Sequence, residues 1–352
     1  MTKRENLIKA VKRQDPEYVP YYFTMCASQI ENFKKKTGRA DGDYMSYFDM
    51  PVRLVDILPS KNPVDFTKYF SELPEDTTID EWGVAHRPGS FGHFSRMIHP
   101  MEGFTSPEQV RDFPLPDILE DYRWEGFHER VAKIKEEGFA AMFSAVQIFE
   151  PAWYLRGMEN LLVDMMTNEE MAEACLERIA RVQARLCAKL AEAGIDIIVY
   201  GDDVGTQKSL MMSLELWRKF IRPVTERVIK AAKEICADVI CYYHSDGVIN
   251  EIIPELIEIG VDVLNPVQPE CMDPVEIKKL YGDRLSFWGT VGTQTTMPFG
   301  TREDVENNVK QMIETVGKGG GLVLAPTHLL EPEVPWENIL AFVDAVKKYG
   351  KI

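Results

Sequence analysis

The sequence predicts an α/β fold, a (β/α)8 TIM barrel, and two observations lead to this prediction. From residue 137 onward, short apolar runs rich in β-branched or aromatic residues alternate with longer stretches of helical period. Polar turns containing glycine or proline separate the two kinds of segment. Such alternation is typical of βαβ units around a parallel sheet. Because barrels of this size commonly form one domain, we expect residues 1–352 to be a single domain.

A closed barrel of this kind needs eight strands, and the apolar runs supply a candidate for each of them. Residues 18–25 and 51–58 are the candidates for the first two strands. The candidates for the remaining strands are 140–146, 196–203, 238–247, 261–269, 284–292 and 320–328.

Helix boundaries are marked by residues that commonly begin or end helices. Thr301 precedes a helical stretch at 302–316, and Asn168 opens a longer one. Gly194 and Gly260 stand just past a helix and directly before a strand, as expected in the loops that join helices to strands.

Residues 63–116 depart from the repeat. The segments DEWGVAHRP (80–88) and FSRMIHPME (94–102), with their proline-rich flanks, are typical of a β-hairpin. We therefore expect a β-hairpin excursion in the N-terminal third of the same domain, between the second and third units of the barrel.

Composition and charge exclude several classes of protein. The chain has 40 Lys and Arg against 56 Asp and Glu, a net charge of −16, which disfavours nucleic acid and anionic membrane surfaces as partners. Its apolar runs are shorter than the roughly 18 residues of a membrane-spanning helix. The N-terminal segment has no apolar signal region before Pro16, so a cytoplasmic location is expected. The long acidic helices are compatible with a homodimer but specify no interface.

The six cysteines are widely spaced and form no C-x-x-C pair. This spacing argues against a disulfide framework and against a zinc knuckle. Reduced thiols are expected.

Several motifs resemble those of the uroporphyrinogen-decarboxylase-like superfamily. They are DEWGV (80–84), GDDVGTQ (201–207), HSDG (244–247), GVDVLNPVQP (260–269), LSFWGTVGTQTTMPFGT (285–301) and GGGLVLAPTHLLEPEVPWENI (319–339). The superfamily contains the decarboxylases themselves and methyltransferases that exchange methyl groups between small molecules and a corrinoid. The resemblance therefore implies the barrel fold and an active site at the carboxyl ends of its strands.

Two departures from the family motifs help to decide between the decarboxylases and the methyltransferases. The decarboxylases carry an arginine-rich segment after the first strand, which grips the substrate carboxylates, whereas residues 23–43 read FTMCASQIENFKKKTGRADGD. The resemblance is thus closer to the corrinoid-dependent methyltransferases. Those enzymes bind zinc through a His-x-Cys pair and a cysteine near the last strand, but here His244 and Asp246 form the pair and His328 follows the last strand.

The carboxyl ends of parallel barrel strands meet on one face, so His244, Asp246 and His328 are expected to converge. Three oxygen or nitrogen ligands are the count of a catalytic zinc site with an open fourth position. Cys271, which follows the predicted strand at 261–269, is a further candidate ligand. Two alternatives stay open: Asp246 caps a helix beginning at Val248, or the histidines only hydrogen-bond neighbouring loops.

Acidic and aromatic side chains at other strand ends are the candidates for catalysis and substrate binding. Asp202 and Glu150 are the candidate catalytic acids, with Asp203 beside the first of them. One aspartate of this pair is expected to cap the turn that follows them. Candidate substrate-binding residues carry aromatic or amide groups, and core packing is the alternative for the aromatic ones: Tyr22, Trp153, Tyr154, Asn265 and Gln268. The other histidines, for which we predict no role, are His86, His93, His99 and His128.

The resemblance and these residues imply a corrinoid-dependent methyltransferase. It would move a methyl group between a small methylated compound, of methoxy, alcohol or amine type, and a corrinoid carried by a partner protein, with Zn²⁺ activating the substrate. One alternative is decarboxylation of uroporphyrinogen, which would need several arginines in the pocket. The other is a non-catalytic barrel that binds a ligand without turnover.

Overall fold

The computed structural model describes residues 1–89 and 95–351. Its strands are β1 (Val52–Leu54), β2 (Thr78–Ile79), β3 (Ala85–Pro88), β4 (Ser95–Ile98), β5 (Ala140–Val146), β6 (Ile197–Gly201), β7 (Ile240–His244), β8 (Val263–Asn265), β9 (Ser286–Val291) and β10 (Leu322–Pro326). Seven of them form one sheet in the order β1-β5-β6-β7-β8-β9-β10, and every pair in it is parallel. This curled parallel sheet has the TIM-barrel architecture that the repeat of strands and helices predicts.

The eighth position of the barrel is taken by residues 18–25, beside β10. Tyr21 and Met25 form parallel bridges to Leu324 and Leu330. The amide of Tyr22 donates to the carbonyl oxygen of Leu324 at 3.0 Å. The segment thus pairs where a first barrel strand would, but through isolated bridges rather than a continuous ladder.

Helices connect the strands and cover the sheet. Their bounds are α1 (Lys3–Lys12), α2 (Ala27–Thr37), α3 (Tyr44–Tyr47), α4 (Pro107–Asp112), α5 (Phe127–Glu136), α6 (Phe149–Arg156), α7 (Met158–Thr167), α8 (Glu169–Glu192), α9 (Leu214–Leu216), α10 (Arg222–Lys233), α11 (Ile253–Glu258), α12 (Pro274–Tyr281), α13 (Thr296–Phe299), α14 (Arg302–Thr315) and α15 (Trp336–Tyr349). A π-helical turn joins α9 to α10. Within the described ranges, none of these helices is long and apolar enough to cross a membrane.

The predicted helix ends are largely those of the structure. Thr301 and Asp304 form a capping box at the start of α14, each side chain accepting the other's backbone N–H. Asn168 precedes α8 but makes no capping hydrogen bond through its side chain. Gly194 and Gly260 have φ angles of 77° and 103°, the left-handed conformation that glycine adopts at low cost after a helix.

The predicted hairpin excursion is confirmed and extended by one strand. β3 and β4 pair antiparallel, and β2 adds to β3 to complete a small three-stranded sheet. His93 and the first residue of the predicted 94–102 segment lie outside the described residues.

Arg156, at the end of α6, ties the excursion to the barrel. Its guanidinium is buried, with Nε 2.8 Å from Oδ2 of Asp164. Nη1 donates to the carbonyl oxygens of Met101 and Phe104 at 2.7 and 3.0 Å. One buried cation thereby satisfies backbone groups of the excursion and an acid of α7 together.

Replacing Arg156 by alanine is expected to lower the free energy of unfolding by about 3–5 kcal/mol, because it leaves Asp164 as a buried, uncompensated charge. Urea unfolding of the purified protein measures this loss. The matched control is Arg181→Ala: this side chain is 73% exposed and pairs with Glu177 along the same helix. Its removal should cost no more than about 1 kcal/mol, and equal losses in the two variants would contradict the anchoring role.

Candidate functional site

A cavity of about 300 Å³ opens at the carboxyl ends of the barrel strands. Its walls come from residues 18–25, from all seven strands of the parallel sheet and from the loop after β10. This is the face on which barrel enzymes carry their active sites. The predicted site residues are therefore expected around this cavity.

The period of two along a strand decides which side chains face this cavity. Val199 of β6 lines it, so Gly201 and Asp203, two and four residues further on, lie on the same side of the chain. Tyr242 and His244 of β7 both line it, and Asp246 follows with the same parity. Since Gly201 pairs with His244 in the sheet, Asp203 and Asp246 emerge next to each other.

Asp203, His244 and Asp246 form a compact group of potential metal ligands. One ligand atom from each lies within 4.8 Å of the other two. Nε2 of His244 is 3.6 Å from Oδ1 of Asp203, and the same oxygen accepts the backbone N–H of Asp246 at 2.8 Å. Two carboxylates and one imidazole suit a divalent cation that takes oxygen and nitrogen ligands, zinc included.

Asn265 sets the tautomer of His244. Its amide nitrogen donates to the carbonyl oxygen of Trp288, which leaves its Oδ1 to face Nδ1 of His244 at 2.5 Å. Nδ1 must therefore carry the ring proton, and Nε2 of the neutral ring keeps its lone pair on the side of the two aspartates. A hydrogen bond from the second ring nitrogen is the usual support of a metal-binding histidine.

The charges in this group act on one another. Burial would lower the pKa of His244, but Asp246, Asp203 and the hydrogen bond to Asn265 outweigh it and raise that pKa. Burial raises the pKa of Asp246, and the nearby negative charges of Asp203 and Glu270 raise it further, against the opposite effect of His244. A cation among these oxygens would relieve the crowding of negative charge.

The loops that carry the two aspartates are held together through their backbones. The amide of Val248 donates to the carbonyl oxygen of Thr206 at 2.8 Å, and that of Val204 donates to Oγ of Ser245 at 3.1 Å. Gly247 has φ +81°, and a Cβ placed on it would lie 2.5 Å from the carbonyl oxygen of Thr206. Asp246 is thus fixed by a close backbone contact and does not cap a helix at Val248, since α11 begins only at Ile253.

Gly247→Ala is expected to destabilise the protein by about 1–3 kcal/mol and to weaken metal binding, because the strained turn must open and move Asp246. Thermal unfolding and zinc titration of the variant check both effects. The control is Gly38→Ala, which has a similar φ of +75° but nothing within 4 Å of the added carbon. It should show the conformational cost alone, with unchanged zinc binding; loss of zinc in both variants would contradict the specific role of the turn.

The other predicted ligands stand outside this group. His328 lines the cavity but is exposed, and the residue grouped with His244 and Asp246 is Asp203. The thiol of Cys271 donates to Oε1 of Gln207 at 3.3 Å, and burial raises its pKa, with Glu270 and Asp246 adding to the effect. Both remain close enough to interact with the charge of Asp246. Their predicted roles as ligands stay predictions.

Asp202 points away from the cavity. Its Oδ1 accepts the backbone N–H groups of Ile148 and Glu150 at 3.0 and 2.9 Å, at the start of α6. Burial raises its pKa to about 8, against the lowering effect of these hydrogen bonds. The carboxyl group thus holds the start of α6 in place, whereas one of the two adjacent aspartates was expected to cap the turn that follows them. Its role as a catalytic acid is still a prediction.

Glu150 is half-buried beside the metal-ligand group. Its Oε1 accepts the hydroxyl of Tyr154 at 2.8 Å, and its other oxygen accepts the amide of Gln147. Burial raises the pKa of Glu150, and the charge of Asp203 adds to the effect. A carboxylic acid that keeps its proton to higher pH is suited to proton transfer near neutrality.

The predicted substrate-binding residues divide into two sets. Tyr22 and Asn265 line the cavity. Gln268 is buried behind it, where its Oε1 accepts the amide of Gly247 at 3.2 Å. Trp153 packs edge-on against Tyr154, with ring centroids 4.3 Å apart, and neither is among the cavity-lining residues of the described chain.

Two aromatic walls of the cavity were not predicted from the sequence, and Asp203 was not among the predicted metal ligands. Trp288 is buried in β9 and meets the rings of Tyr22 and Tyr242 at interplanar angles of 78° and 75°. Strand parity was the available signal, because it places Tyr242 on the same side of β7 as His244.

The fold and the site define a class of protein. The model of the uroporphyrinogen decarboxylase (URO-D) family matches residues 96–349, and the chain belongs to this family. A solved structure described as a methyltransferase from Methanosarcina mazei superposes with a TM-score of 0.72 over 99% of each chain at 16% identity, which shows the shared fold.

Curated relatives come from both branches of the superfamily. The chain is 29% identical to the methylcobamide:CoM methyltransferase MtaA of Methanosarcina barkeri, over 46% of this chain and 44% of that protein. It is 26% identical to the methylated-thiol–coenzyme M methyltransferase of M. mazei, over 57% and 51%. The matches thus span about half the length of these methyltransferases. The uroporphyrinogen decarboxylase of Pseudomonas syringae pv. tomato is 20% identical over 98% of this chain and 96% of its own.

Proposed function

We propose that the protein is a corrinoid-dependent methyltransferase that moves a methyl group between a small methylated compound and a corrinoid carried by a partner protein. In the demethylating direction, the bond between the methyl carbon and its oxygen or nitrogen breaks, and its electron pair stays on that heteroatom. Cobalt(I) of the corrinoid substrate supplies both electrons of the new cobalt–carbon bond. The opposite direction reverses these changes.

The observation that carries the proposal is the group formed by Asp203, His244 and Asp246, of which His244 lines the cavity. These three residues would hold Zn²⁺, which would polarise the oxygen or nitrogen that bears the methyl group. Their ligand atoms, two carboxylate oxygens and one imidazole nitrogen, replace the thiolates expected from the family motif. Such a set suits hydroxyl, ether or amine substrates better than thiols.

Protein side chains would supply the proton that the departing heteroatom needs. Glu150 has a raised pKa and lies near the metal-ligand group. The hydroxyl of Tyr154 orients it through a hydrogen bond of 2.8 Å. Asp202 would act indirectly, by fixing the start of the helix that carries Glu150.

Decarboxylation of uroporphyrinogen is the weaker candidate. A substrate with many carboxylates needs positively charged side chains in its pocket. Among the described residues, those lining the cavity include no arginine or lysine, and its lining residue His244 stands beside Asp203 and Asp246. The charge of the site therefore favours the methyltransferase.

Anaerobic methyl transfer to free cob(I)alamin tests the proposal. Zinc-loaded protein is supplied with methanol, a methoxylated alcohol or methylated amines, and formation of methylcobalamin is followed by its visible spectrum. The reverse arm starts from methylcobalamin with the demethylated compounds as acceptors. We expect methyl transfer in the wild type and a rate lower by about a hundredfold or more in Asp203→Asn. The control Asp238→Asn, which changes an exposed aspartate paired with Lys12, should keep the wild-type rate. No transfer in either arm would overturn the proposal.

A further inference from the structure

The cavity at the carboxyl ends of the strands is apolar over much of its lining. Leu54, Met142 and Val199 contribute aliphatic or thioether side chains from β1, β5 and β6. The lining residues of the described chain include two histidines but no aspartate, glutamate, lysine or arginine. Such a lining favours a ligand that buries apolar surface and carries few polar groups.

The size of the cavity distinguishes between possible methyl donors. Its volume is about 300 Å³. An apolar protein cavity of about 150 Å³ is enough to hold one benzene molecule, so a substituted benzene ring fits here. Methanol is far smaller and would leave most of the volume to water. The cavity is therefore matched in size to a donor that carries a substituted ring.

Three buried rings form an aromatic cluster in the lining of this cavity. Tyr22 and Tyr242 stand nearly perpendicular to Trp288, with ring centroids 5.5 and 5.2 Å from that of the indole. Aromatic rings prefer edge-on or offset contacts at such distances, and each contact adds to the gain from burying apolar area. A further ring in the cavity can extend this packing, whereas an aliphatic chain cannot.

The tyrosine hydroxyls of this aromatic cluster are free to bind a ligand. Among the described residues, neither Tyr22 nor Tyr242 makes a hydrogen bond through its hydroxyl. Burial raises the pKa of both tyrosines, so each hydroxyl keeps its proton and can donate it to an acceptor. An oxygen substituent on the ring of the ligand would supply this acceptor.

We propose, building on the methyl transfer proposed above, that the methyl donor is an aryl methyl ether, with its methoxy group on a hydroxylated benzene ring. The ring packs against the aromatic cluster, and the ring hydroxyl accepts a hydrogen bond from Tyr22 or Tyr242. The ether oxygen faces His244, which lines the cavity and also belongs to the metal-ligand group. This oxygen is uncharged and keeps a lone pair for a metal ion bound there.

The aromatic ring also eases the breaking of the bond between the methyl carbon and oxygen. The electron pair of this bond stays on a phenolic oxygen, and the methyl group passes to cobalt(I) of the corrinoid. A phenol has a pKa of about 10, whereas aliphatic alcohols are acids about as weak as water, with a pKa of about 15.7. The phenolate is therefore the better leaving group, and it takes up its proton from Glu150. Aliphatic methyl donors should react as well, but at a lower rate.

A matched pair of ligands isolates the contribution of the ring. Anisole and methoxycyclohexane carry the same methoxy group on an aromatic and on a saturated ring. Calorimetric titration of the zinc-loaded protein should show anisole binding about fivefold or more tighter than methoxycyclohexane. Equal affinity, or tighter binding of the saturated ring, would overturn the inference.

Two conservative variants test the hydroxyls of the aromatic cluster. At least one of Tyr22→Phe and Tyr242→Phe should weaken the binding of 2-methoxyphenol by about fivefold, while both keep the wild-type affinity for anisole, which has no ring hydroxyl. Thermal unfolding shows whether the variants are folded, and the comparison of ligands on the wild type stands without them. An unchanged affinity for 2-methoxyphenol in both variants would overturn the contact proposed for the ring hydroxyl.

Rates of methyl transfer to cob(I)alamin test the donor itself. With the zinc-loaded wild type, 2-methoxyphenol should react about tenfold or more faster than methanol or 2-methoxyethanol. Transfer from methanol or 2-methoxyethanol at an equal or higher rate would overturn this inference alone. A preference for anisole in binding without methyl transfer from any donor would overturn the proposed function and would still support an aromatic ligand for the cavity.

Discussion

Replacing His244 by alanine is expected to abolish metal retention by the purified protein. Its Nε2 would provide the nitrogen ligand of the group, and the hydrogen bond from Nδ1 to Asn265 holds the ring in the orientation that presents this atom. Without it, Asp203 and Asp246 remain as two crowded carboxylates. Protein purified anaerobically and dialysed against dilute zinc should carry close to one zinc per chain in the wild type and almost none in His244→Ala, with methyl transfer lower by about a hundredfold or more.

His328→Ala is the informative comparison. This histidine also lines the cavity, but it is exposed and lies outside the group whose ligand atoms converge. The variant should keep its zinc, because Asp203 fills the third position. Loss of zinc in both histidine variants would instead indicate that His328 is a metal ligand. Zinc retained by His244→Ala would rule out a metal site formed by Asp203, His244 and Asp246.

The barrel could be predicted because its signals are local and repeated. Apolar run 140–146 coincides with β5, and the later strands fall inside their predicted runs. The weak points were the first two strands: 51–58 contains only the short β1, and 18–25 pairs through isolated bridges. Pairing of these segments is decided by distant partners in β5 and β10, which no local pattern records.

The group of potential metal ligands was only partly predictable. The HSDG motif pointed to His244 and Asp246, and both lie in the ligand group. Strand parity could have separated Asp202 from Asp203, since the two side chains must point to opposite sides. Whether Asp203 or His328 completes the group depends on how far each loop reaches over the cavity, which motif spacing does not reveal.

The roles of Gln268 and Asp202 depend on long-range contacts. Both were expected near the substrate, yet Gln268 accepts the amide of Gly247 and Asp202 accepts amides at the start of α6. A polar residue after a strand is equally suited to binding a ligand or to satisfying a neighbouring loop. Only the packing of the loops against one another separates the two.

Asp202→Ala is expected to lower the free energy of unfolding by about 2–5 kcal/mol, since it leaves the N–H groups of Ile148 and Glu150 without an acceptor at the start of α6. Urea unfolding measures the loss. Asp273→Ala is the matched control: this aspartate also accepts two backbone amides, but at the exposed start of α12, so about 1 kcal/mol is expected there. Equal losses of stability in the two variants would show that the burial of Asp202 does not increase the cost of removing it.

Asp202→Asn separates the acceptor from the charge. Its amide oxygen can accept both N–H groups in place of Oδ1, so its loss of stability should be far smaller than that of the alanine variant. Burial raises the pKa of Asp202 from 3.8 to about 8, so between these values the folded wild type holds a proton that the unfolded chain has released. The wild type should therefore lose stability relative to Asp202→Asn as the pH rises from about 4 to about 8. A difference that grows in the opposite direction would mean that Asp202 is ionised in the folded protein, held as an anion by the amides of α6.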